Sequence, residues 1–148
     1  MEKKKTYVLM LSEYFPKTHN KAGMPTEFKE KVLNKKKIHT IRANYPLWER
    51  RIKEVQEGRA VLAVRQWTGK PYCSKQVEIA RLTTEDGVGI QLLELTNDLS
   101  ECIVRGHRYS YVSVAKNDGL HPADWLDWFS CYDLSKPMAI INFTQFRY

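Results

Sequence analysis

The segment Lys37-Ile38-His39-Thr40-Ile41-Arg42 combines apolar and basic side chains in a pattern that indicates both a β-strand and a functional surface. In a strand, alternate side chains share a face, so the two isoleucines point in opposite directions and each face mixes apolar with polar groups. Such a mixture is unusual for a core strand and favours a strand that lines a cleft. On the pattern alone, however, an edge strand that is protected by its lysine and arginine is slightly favoured.

Apolar spacing and turn residues predict the elements around this segment. A β-rich run opens the chain, a short helix has a proline in its first turn, and a second helix ends at Gly58. Two strands then form a hairpin around Gly69. The predicted strands are residues 6–11, 37–42, 60–68, 72–83, 90–95, 109–114 and 138–148, and the predicted helices are residues 25–34, 48–57 and 122–131.

This order of elements predicts an α+β fold: a small mixed, mostly antiparallel β-barrel with two or three peripheral helices. The length of 148 residues suits one domain spanning residues 1–148, with residues 1–5 as a loose N-terminal tail. The tryptophans at helical core positions are expected to be buried: Trp48, Trp125 and Trp128.

The composition excludes several classes of protein. The longest apolar runs, such as Val61-Leu62-Ala63-Val64, are far too short to cross a bilayer, and a strand-like segment rather than a signal-peptide core follows the basic start. A cytoplasmic protein with no membrane contact is therefore expected. The three cysteines form no C-x-x-C pair and are expected to be reduced core or half-buried thiols. Because the four histidines are scattered, neither a metal site nor a cofactor is predicted.

The net charge of +7 is unevenly distributed. Between Lys29 and Lys53, nine basic side chains stand against only two acidic ones. A basic region of this kind on a small domain favours a polyanionic partner, nucleic acid first. A solvated face that only keeps the protein soluble is the alternative.

Residues 33–42 resemble the signature of ASCH domains, which belong to the PUA-like β-barrel superfamily. That signature runs roughly G-x-K-x-x-T-x-R. Lys37, Thr40 and Arg42 match it, whereas Lys35 stands at the glycine position. The lead into the strand after Gly58 is similar to the family's x-x-G-D/E-x-V, with Arg59 in place of the acid. Residues 117–126 resemble the family's acid-Gly-aromatic turn and the helix that follows it, and the last strand resembles the family's final strand.

The resemblance implies two grades of function. PUA-like domains as a class bind RNA, and ASCH domains are thought to do so through the cleft that bears this motif. A smaller group hydrolyses the amide of N4-acetylcytidine with a Lys, a Thr and a Glu. Carried onto this sequence, those residues are Lys37, Thr40 and Asp118, so an Asp stands where the Glu is expected.

The chemistry of these three candidate catalytic residues is reasonable. A cleft lysine with a lowered pKa can take the proton of a threonine hydroxyl, and a carboxylate can protonate the leaving amine. Asp118 precedes Gly119, however, so a role as a turn former is equally open.

Further residues are candidates for binding a ligand. Arg42 can hold a phosphate or carbonyl oxygen, and His39 can stack on a base or transfer a proton, although a surface strand histidine is the favoured interpretation. Lys36 belongs to the basic region, and three aromatic rings are available for base stacking. The rings are those of Tyr45, Trp67 and Tyr72, and the last two flank the hairpin turn, where exposure is expected.

The leading hypothesis is binding of RNA or a modified nucleotide in a basic cleft. The alternatives are an amidohydrolase that acts on an N4-acylated cytidine-like nucleoside and a protein-interaction module whose charge only solubilises. The sequence leaves the oligomeric state open.

Overall fold

The eight strands and four α-helices described below come from a computed structural model that describes residues 3–148. The strands are β1 (Lys5–Met10), β2 (His39–Arg42), β3 (Ala60–Trp67), β4 (Gln76–Leu82), β5 (Gly89–Leu95), β6 (Glu101–Val104), β7 (His107–Ser110) and β8 (Met138–Asn142). The helices are α1 (Phe28–Leu33), α2 (Tyr45–Gln56), α3 (Tyr111–Asn117) and α4 (Pro122–Phe129). No helix in this part of the chain has the length and apolar character that a membrane span requires.

The strands form two sheets. A three-stranded sheet has the order β1-β3-β4, in which β1 runs parallel to β3 and β4 antiparallel to it. A five-stranded sheet has the order β2-β8-β5-β6-β7 with antiparallel neighbours. The predicted α+β class with mostly antiparallel strands is therefore confirmed. Within residues 3–148 no ladder of paired strands joins the two sheets into a closed barrel.

Strand β2 lies at the edge of the five-stranded sheet and is nevertheless covered. It pairs with β8, whose five residues are all buried, in a register that sets His39 opposite Asn142 and Thr40 opposite Ile141. Three of its four residues are buried and Arg42 is half-buried. Burial on both faces explains why His39 and Ile41 on one face and Thr40 on the other are all covered.

The helix boundaries differ from the predicted ones by a few residues. Helix α1 is shorter, because Pro25 pairs with Tyr14 in an isolated bridge. Helix α2 begins earlier, with Pro46 in its first turn and the Asn44 side chain accepting a hydrogen bond from Leu47 N at 3.3 Å. Trp48 and Trp125 are buried as predicted, whereas the third tryptophan is half-buried.

The prediction of a strand at residues 109–114 is wrong from Tyr111 onward. Strand β7 ends at Ser110, whose hydroxyl accepts a hydrogen bond from Val112 N at 3.2 Å and starts helix α3. The alternating pattern would suit a strand, but the Ser110 cap starts a helix instead. Val114 and Ala115 form the buried face of that helix. The final strand is also shorter than predicted.

The predicted loose tail and the predicted thiols need correction. Lys5 is the first residue of β1, so it does not belong to a tail, whereas residues 1 and 2 lie outside the described part of the chain. Cys102 is buried, as expected for a core thiol, but Cys73 and Cys131 are exposed.

Candidate functional site

A narrow cleft of about 20 Å³ opens where β2, α1 and the connection between α3 and α4 meet. We call it the Lys37 cleft. Four predicted site residues line it, together with apolar and aromatic side chains from α1 and α4. The lining residues are Leu11, Ser12, Phe28, Lys37, Thr40, Ile41, Arg42, Asp118, Leu120, Trp128 and Phe129.

Lys37 is the buried charge at the centre of this cleft, with only 2% of its surface exposed. Its ammonium donates hydrogen bonds to the backbone oxygen of Asp118 at 2.7 Å and to Oδ1 of the same residue at 2.8 Å. The ammonium also lies 4.3 Å from the centre of the Phe28 ring, which provides a cation–π contact. The Lys37 side chain is thus held by the connection between α3 and α4, through Asp118, and by α1, through Phe28.

The local backbone places Lys37 through a tight turn after α1. The amides of Lys36 and Lys37 both donate to the carbonyl of Lys31, and Lys35 adopts a left-handed conformation at φ +60°. The next amide, that of Ile38, donates to Asn117 O at 2.9 Å. These bonds connect the start of β2 to the end of α1 on one side and to the end of α3 on the other.

Gly119 lets the α3–α4 connection approach this lysine closely. It has a φ of +79°, and a Cβ atom at this position would lie 2.9 Å from Lys37 Cβ and 3.3 Å from Lys37 Cγ. The Gly119 carbonyl also accepts a hydrogen bond from Lys31 Nζ at 2.8 Å. A glycine is required here both for its backbone conformation and for the space that it leaves.

Asp118 is a buried carboxylate that stays ionised. Burial by itself would raise its pKa, but the positive charge of Lys37 and the nearby His39 ring outweigh burial and hold the pKa below its usual range. A carboxyl group in this state is a poor proton donor at neutral pH. This electrostatic environment therefore argues against the expected role of Asp118 as the acid that protonates a leaving amine.

Lys37 has the opposite balance. Burial lowers its pKa, and the charge of Asp118 and its hydrogen bond offset only part of that effect. A lysine of this kind gives up its proton more easily than an exposed one. It is therefore the group in the cleft that is best suited to exchange a proton with a bound ligand.

Thr40 and Arg42 complete the polar lining. Thr40 is buried and lines the cleft, and the hydrogen bonds of the Lys37 ammonium go to Asp118 rather than to the Thr40 hydroxyl. Arg42 donates to the backbone oxygens of Ile41 and Met10, which uses part of its set of five N–H donors. Its remaining donors are available to an oxygen atom in the cleft.

His39 lies behind the cleft, so the expectation of a surface strand histidine is wrong. It is completely buried, its Nε2 lies 2.7 Å from Tyr148 Oη, and its Nδ1 lies 3.5 Å from Asp118 Oδ1. Because it does not line the cleft, stacking on a base is excluded in this conformation.

Trp67 and Tyr72 line a second depression of about 480 Å³, which we call the aromatic groove. Their ring centres are 5.2 Å apart, and 89% of the Tyr72 surface is exposed, as predicted for a ring beside the hairpin turn. The same prediction is wrong for Trp67, which is half-buried against the groove. Leu11 and Ser12 line both this groove and the Lys37 cleft, so the two are adjacent.

Lys36 lies on a different side of the cleft, in a third depression of about 670 Å³ that we call the basic groove. Its floor is apolar, and Leu120 lines both this groove and the Lys37 cleft. The lysines of the groove are Lys31, Lys35, Lys36 and Lys116.

Tyr45 is not brought to the cleft. It is half-buried and lines a separate depression with Gln91, Arg105 and Arg147. No residue of that depression lines the Lys37 cleft.

Several residues of the site carried no recognisable sequence signal. Phe28 looked like an ordinary helix residue, and Tyr148 looked like the end of a strand. Lys31 and Gly119 are recognised as part of the site only from the structure. Lys31 Nζ donates to the Gly119 carbonyl, and Gly119 lies against the Lys37 side chain. Among the residues that the structure describes, no group of three or more His, Cys, Asp or Glu side chains could hold a metal ion.

Comparison of the chain with protein-family models, with curated proteins and with solved structures finds no match.

Proposed function

We propose that the chain binds RNA or a modified nucleotide, with one nucleotide engaging the Lys37 cleft. One observation carries this proposal: Lys37, Thr40, Arg42 and Asp118 line a single cleft. The sequence resemblance supports it as well, because three of these residues belong to the K-x-x-T-x-R segment. The proposal includes an ASCH-type, PUA-like architecture built from the two sheets, and a cytoplasmic location in keeping with free thiols.

The two grooves beside the cleft suit the parts of a nucleotide chain. Lysines along the basic groove provide positive charge for phosphates, and the paired rings of Trp67 and Tyr72 provide a surface for base stacking. The cleft itself is only large enough for about one water molecule, so a small substituent or carbonyl group enters it rather than a whole base.

The salt dependence of RNA binding tests this proposal. A fluorescently labelled single-stranded RNA is titrated with the chain at several salt concentrations, and the logarithm of the affinity is plotted against the logarithm of the salt concentration. A steep negative slope is expected, because each phosphate contact releases counterions. RNA affinity that is absent or independent of salt contradicts the proposal and favours a protein-interaction module.

A second candidate function is hydrolysis of an N4-acylated cytidine-like nucleoside. The observation that favours it is that a threonine and a buried lysine of lowered pKa line the same cleft. In this mechanism neutral Lys37 takes the proton of Thr40 as Oγ1 attacks the acyl carbon. Arg42 stabilises the charge that develops on the acyl oxygen.

The remaining steps use the same lysine. Its ammonium returns the proton to the N4 nitrogen as the carbon–nitrogen bond breaks, and water then hydrolyses the acyl-threonine ester. Asp118 serves as the fixed partner of Lys37 rather than as the acid, because it remains ionised.

Incubation with N4-acetylcytidine tests this second function. Cytidine and acetate are expected, and the rate should rise with pH as Lys37 loses its proton, below the usual lysine range. Thr40→Ala should abolish the product, whereas Thr40→Ser, which keeps a hydroxyl, should retain part of it. Equal cytidine release by wild type and Thr40→Ala would eliminate this mechanism.

A further inference from the structure

Buried and half-buried side chains behind the Lys37 cleft form a continuous chain of polar contacts. His39 Nε2 is 2.7 Å from Tyr148 Oη, and Asn117 Nδ2 donates to the same hydroxyl at 3.0 Å. Tyr148 is fixed in place by a pair of 3.1 Å hydrogen bonds between its backbone and the Gln91 amide. None of these residues lines the Lys37 cleft, although Asn117 lines the basic groove, so His39 and Tyr148 do not contact a ligand in the cleft.

These contacts determine which nitrogen of His39 carries the proton. The ionised Asp118 carboxylate can only accept, so the ring nitrogen that faces it, Nδ1, is the donor. The Tyr148 hydroxyl, which accepts a hydrogen bond from Asn117, can then donate its own hydrogen to Nε2. Nε2 is therefore the acceptor, and in a neutral imidazole the ring proton lies on Nδ1. Nδ1 is buried without any good hydrogen-bond partner within residues 3–148, and it faces Asp118 Oδ1 at 3.5 Å.

We propose that Tyr148 and His39 are positioning residues that keep the Asp118 carboxylate ionised and directed at Lys37. Tyr148 O–H donates to His39 Nε2, and His39 Nδ1–H is directed at the carboxylate. The inference rests on the proposed function only in assigning a purpose to this carboxylate, since the chain of contacts can be measured without a ligand.

The groups around Asp118 allow the contribution of His39 to be isolated. Burial raises the pKa of the Cys102 thiol to about 12 and raises the pKa of Tyr148, so both groups stay protonated and uncharged near neutral pH. His39 contributes both a hydrogen bond and a Coulombic interaction to this carboxylate, and the other charged side chains that act on it are those of Lys37 and Arg42. A change at His39 therefore changes one donor while these charges stay in place.

Two substitutions of similar size separate positioning from packing. The amide nitrogen of His39→Asn can occupy the place of Nδ1 and still donate to Asp118, whereas His39→Gln reaches the place of Nε2 and keeps only the link to Tyr148. The titration of the Asp118 carboxyl carbon is followed by NMR in both variants. His39→Gln should shift its midpoint upward by about one pH unit, and His39→Asn should shift it much less.

The proposal is overturned if both variants give the same midpoint, or if His39→Gln resembles the wild type. Because a variant can fail to fold, the wild-type chain provides a second test. Nitrogen-15 NMR of labelled histidine should show His39 with a protonated Nδ1 and a bare Nε2, and Tyr148→Phe should disturb this state. A proton on Nε2 in the wild type overturns the proposal as well.

These outcomes are distinguishable from failure of the proposed function. If His39 has the Nδ1–H form but the chain binds neither RNA nor N4-acetylcytidine, the positioning role is supported and the proposed function is contradicted. If the chain binds RNA but His39 has the Nε2–H form, the proposed function is supported and the positioning role is contradicted.

Discussion

At the residue scale, the buried ion pair of Lys37 and Asp118 links the stability of the chain to the chemistry of the cleft. Breaking a buried pair by removing one partner leaves the other charge without compensation. Asp118→Asn should therefore lower the free energy of unfolding by about 3–5 kcal/mol at neutral pH. Urea unfolding of the variant and the wild type measures this difference.

The pH dependence of that loss has a definite sign. Without its carboxylate, Lys37 has a folded-state pKa still further below its unfolded value of about 10.4, so the unfolded state binds more protons. The stability of Asp118→Asn should then rise toward pH 10, and its deficit should shrink. Asp133→Asn, which removes an exposed carboxylate, serves as the control. A deficit that stays constant between pH 7 and pH 10 would show that Lys37 does not titrate with folding.

Gly119 offers a second test at this scale, with a matched control in the same chain. Gly119→Ala and Gly106→Ala both place an alanine at a φ near +78°, which costs about 1–2 kcal/mol in each. Only at Gly119 does the new methyl group meet Lys37, whereas nothing lies within 4 Å at Gly106. Gly119→Ala should be less stable than Gly106→Ala by a further 1–3 kcal/mol or so in thermal or urea unfolding.

Equal losses in the two glycine variants would mean that the connection between α3 and α4 does not press against Lys37. In that case the narrow geometry of the cleft would not depend on Gly119. The comparison is informative because the backbone cost cancels and only the side-chain contact differs.

At the element scale, helix α3 matters because its last turn delivers Asn117, Asp118 and Gly119 to the cleft. The Ser110 hydroxyl caps its first turn. Ser110→Ala should therefore cost about 1 kcal/mol in the free energy of unfolding. Ser113→Ala, an exposed position inside the same helix, should be neutral or slightly stabilising, since alanine is the better helix former. A larger loss at Ser113 than at Ser110 would contradict the assigned helix start.

The same elements show how far the sequence could be interpreted. Most strands and three helices followed from apolar spacing, because their buried residues recur with the period of the element. Helix α3 was missed, since Tyr109 to Val114 alternates like a strand and the capping role of Ser110 is visible only once β7 has ended.

The site was predictable only in part. The contact between Lys37 and Asp118, 81 residues apart, came from a family resemblance and not from periodicity. The burial of His39 was not predictable, because its cover is Tyr148, 109 residues further along the chain. The assignment of Tyr45 to the site rests on its aromatic ring alone. Tyr45 begins helix α2 and lines a separate depression.

At the scale of the whole molecule, the position of the positive charge matters more for RNA binding than the net charge of +7 itself. Three exposed lysines line the basic groove next to the cleft: Lys35, Lys36 and Lys116. Changing all three to alanine should weaken RNA binding at low salt and make the salt dependence shallower, because fewer counterions are released. A control with the same loss of charge replaces Lys53, Lys75 and Lys136, which are exposed and outside this groove.

If the groove variant and the control variant lose RNA affinity to the same extent, net charge alone attracts the RNA and the groove has no special role. If only the groove variant changes, the path of the phosphates runs beside the Lys37 cleft. The salt slope, rather than affinity at a single salt concentration, distinguishes the two cases.

The central claim, that the Lys37 cleft receives a small substituent of one nucleotide of the ligand, is tested most directly by NMR. N4-acetylcytidine, or a short RNA that carries it, is titrated into nitrogen-15-labelled chain and into Lys37→Met. Saturable shifts of the Thr40, Arg42 and Gly119 amide signals are expected in the wild type, and a dissociation constant at least about tenfold higher is expected in the variant. Saturable binding that is unchanged in Lys37→Met, or no binding of either ligand, would contradict the central claim.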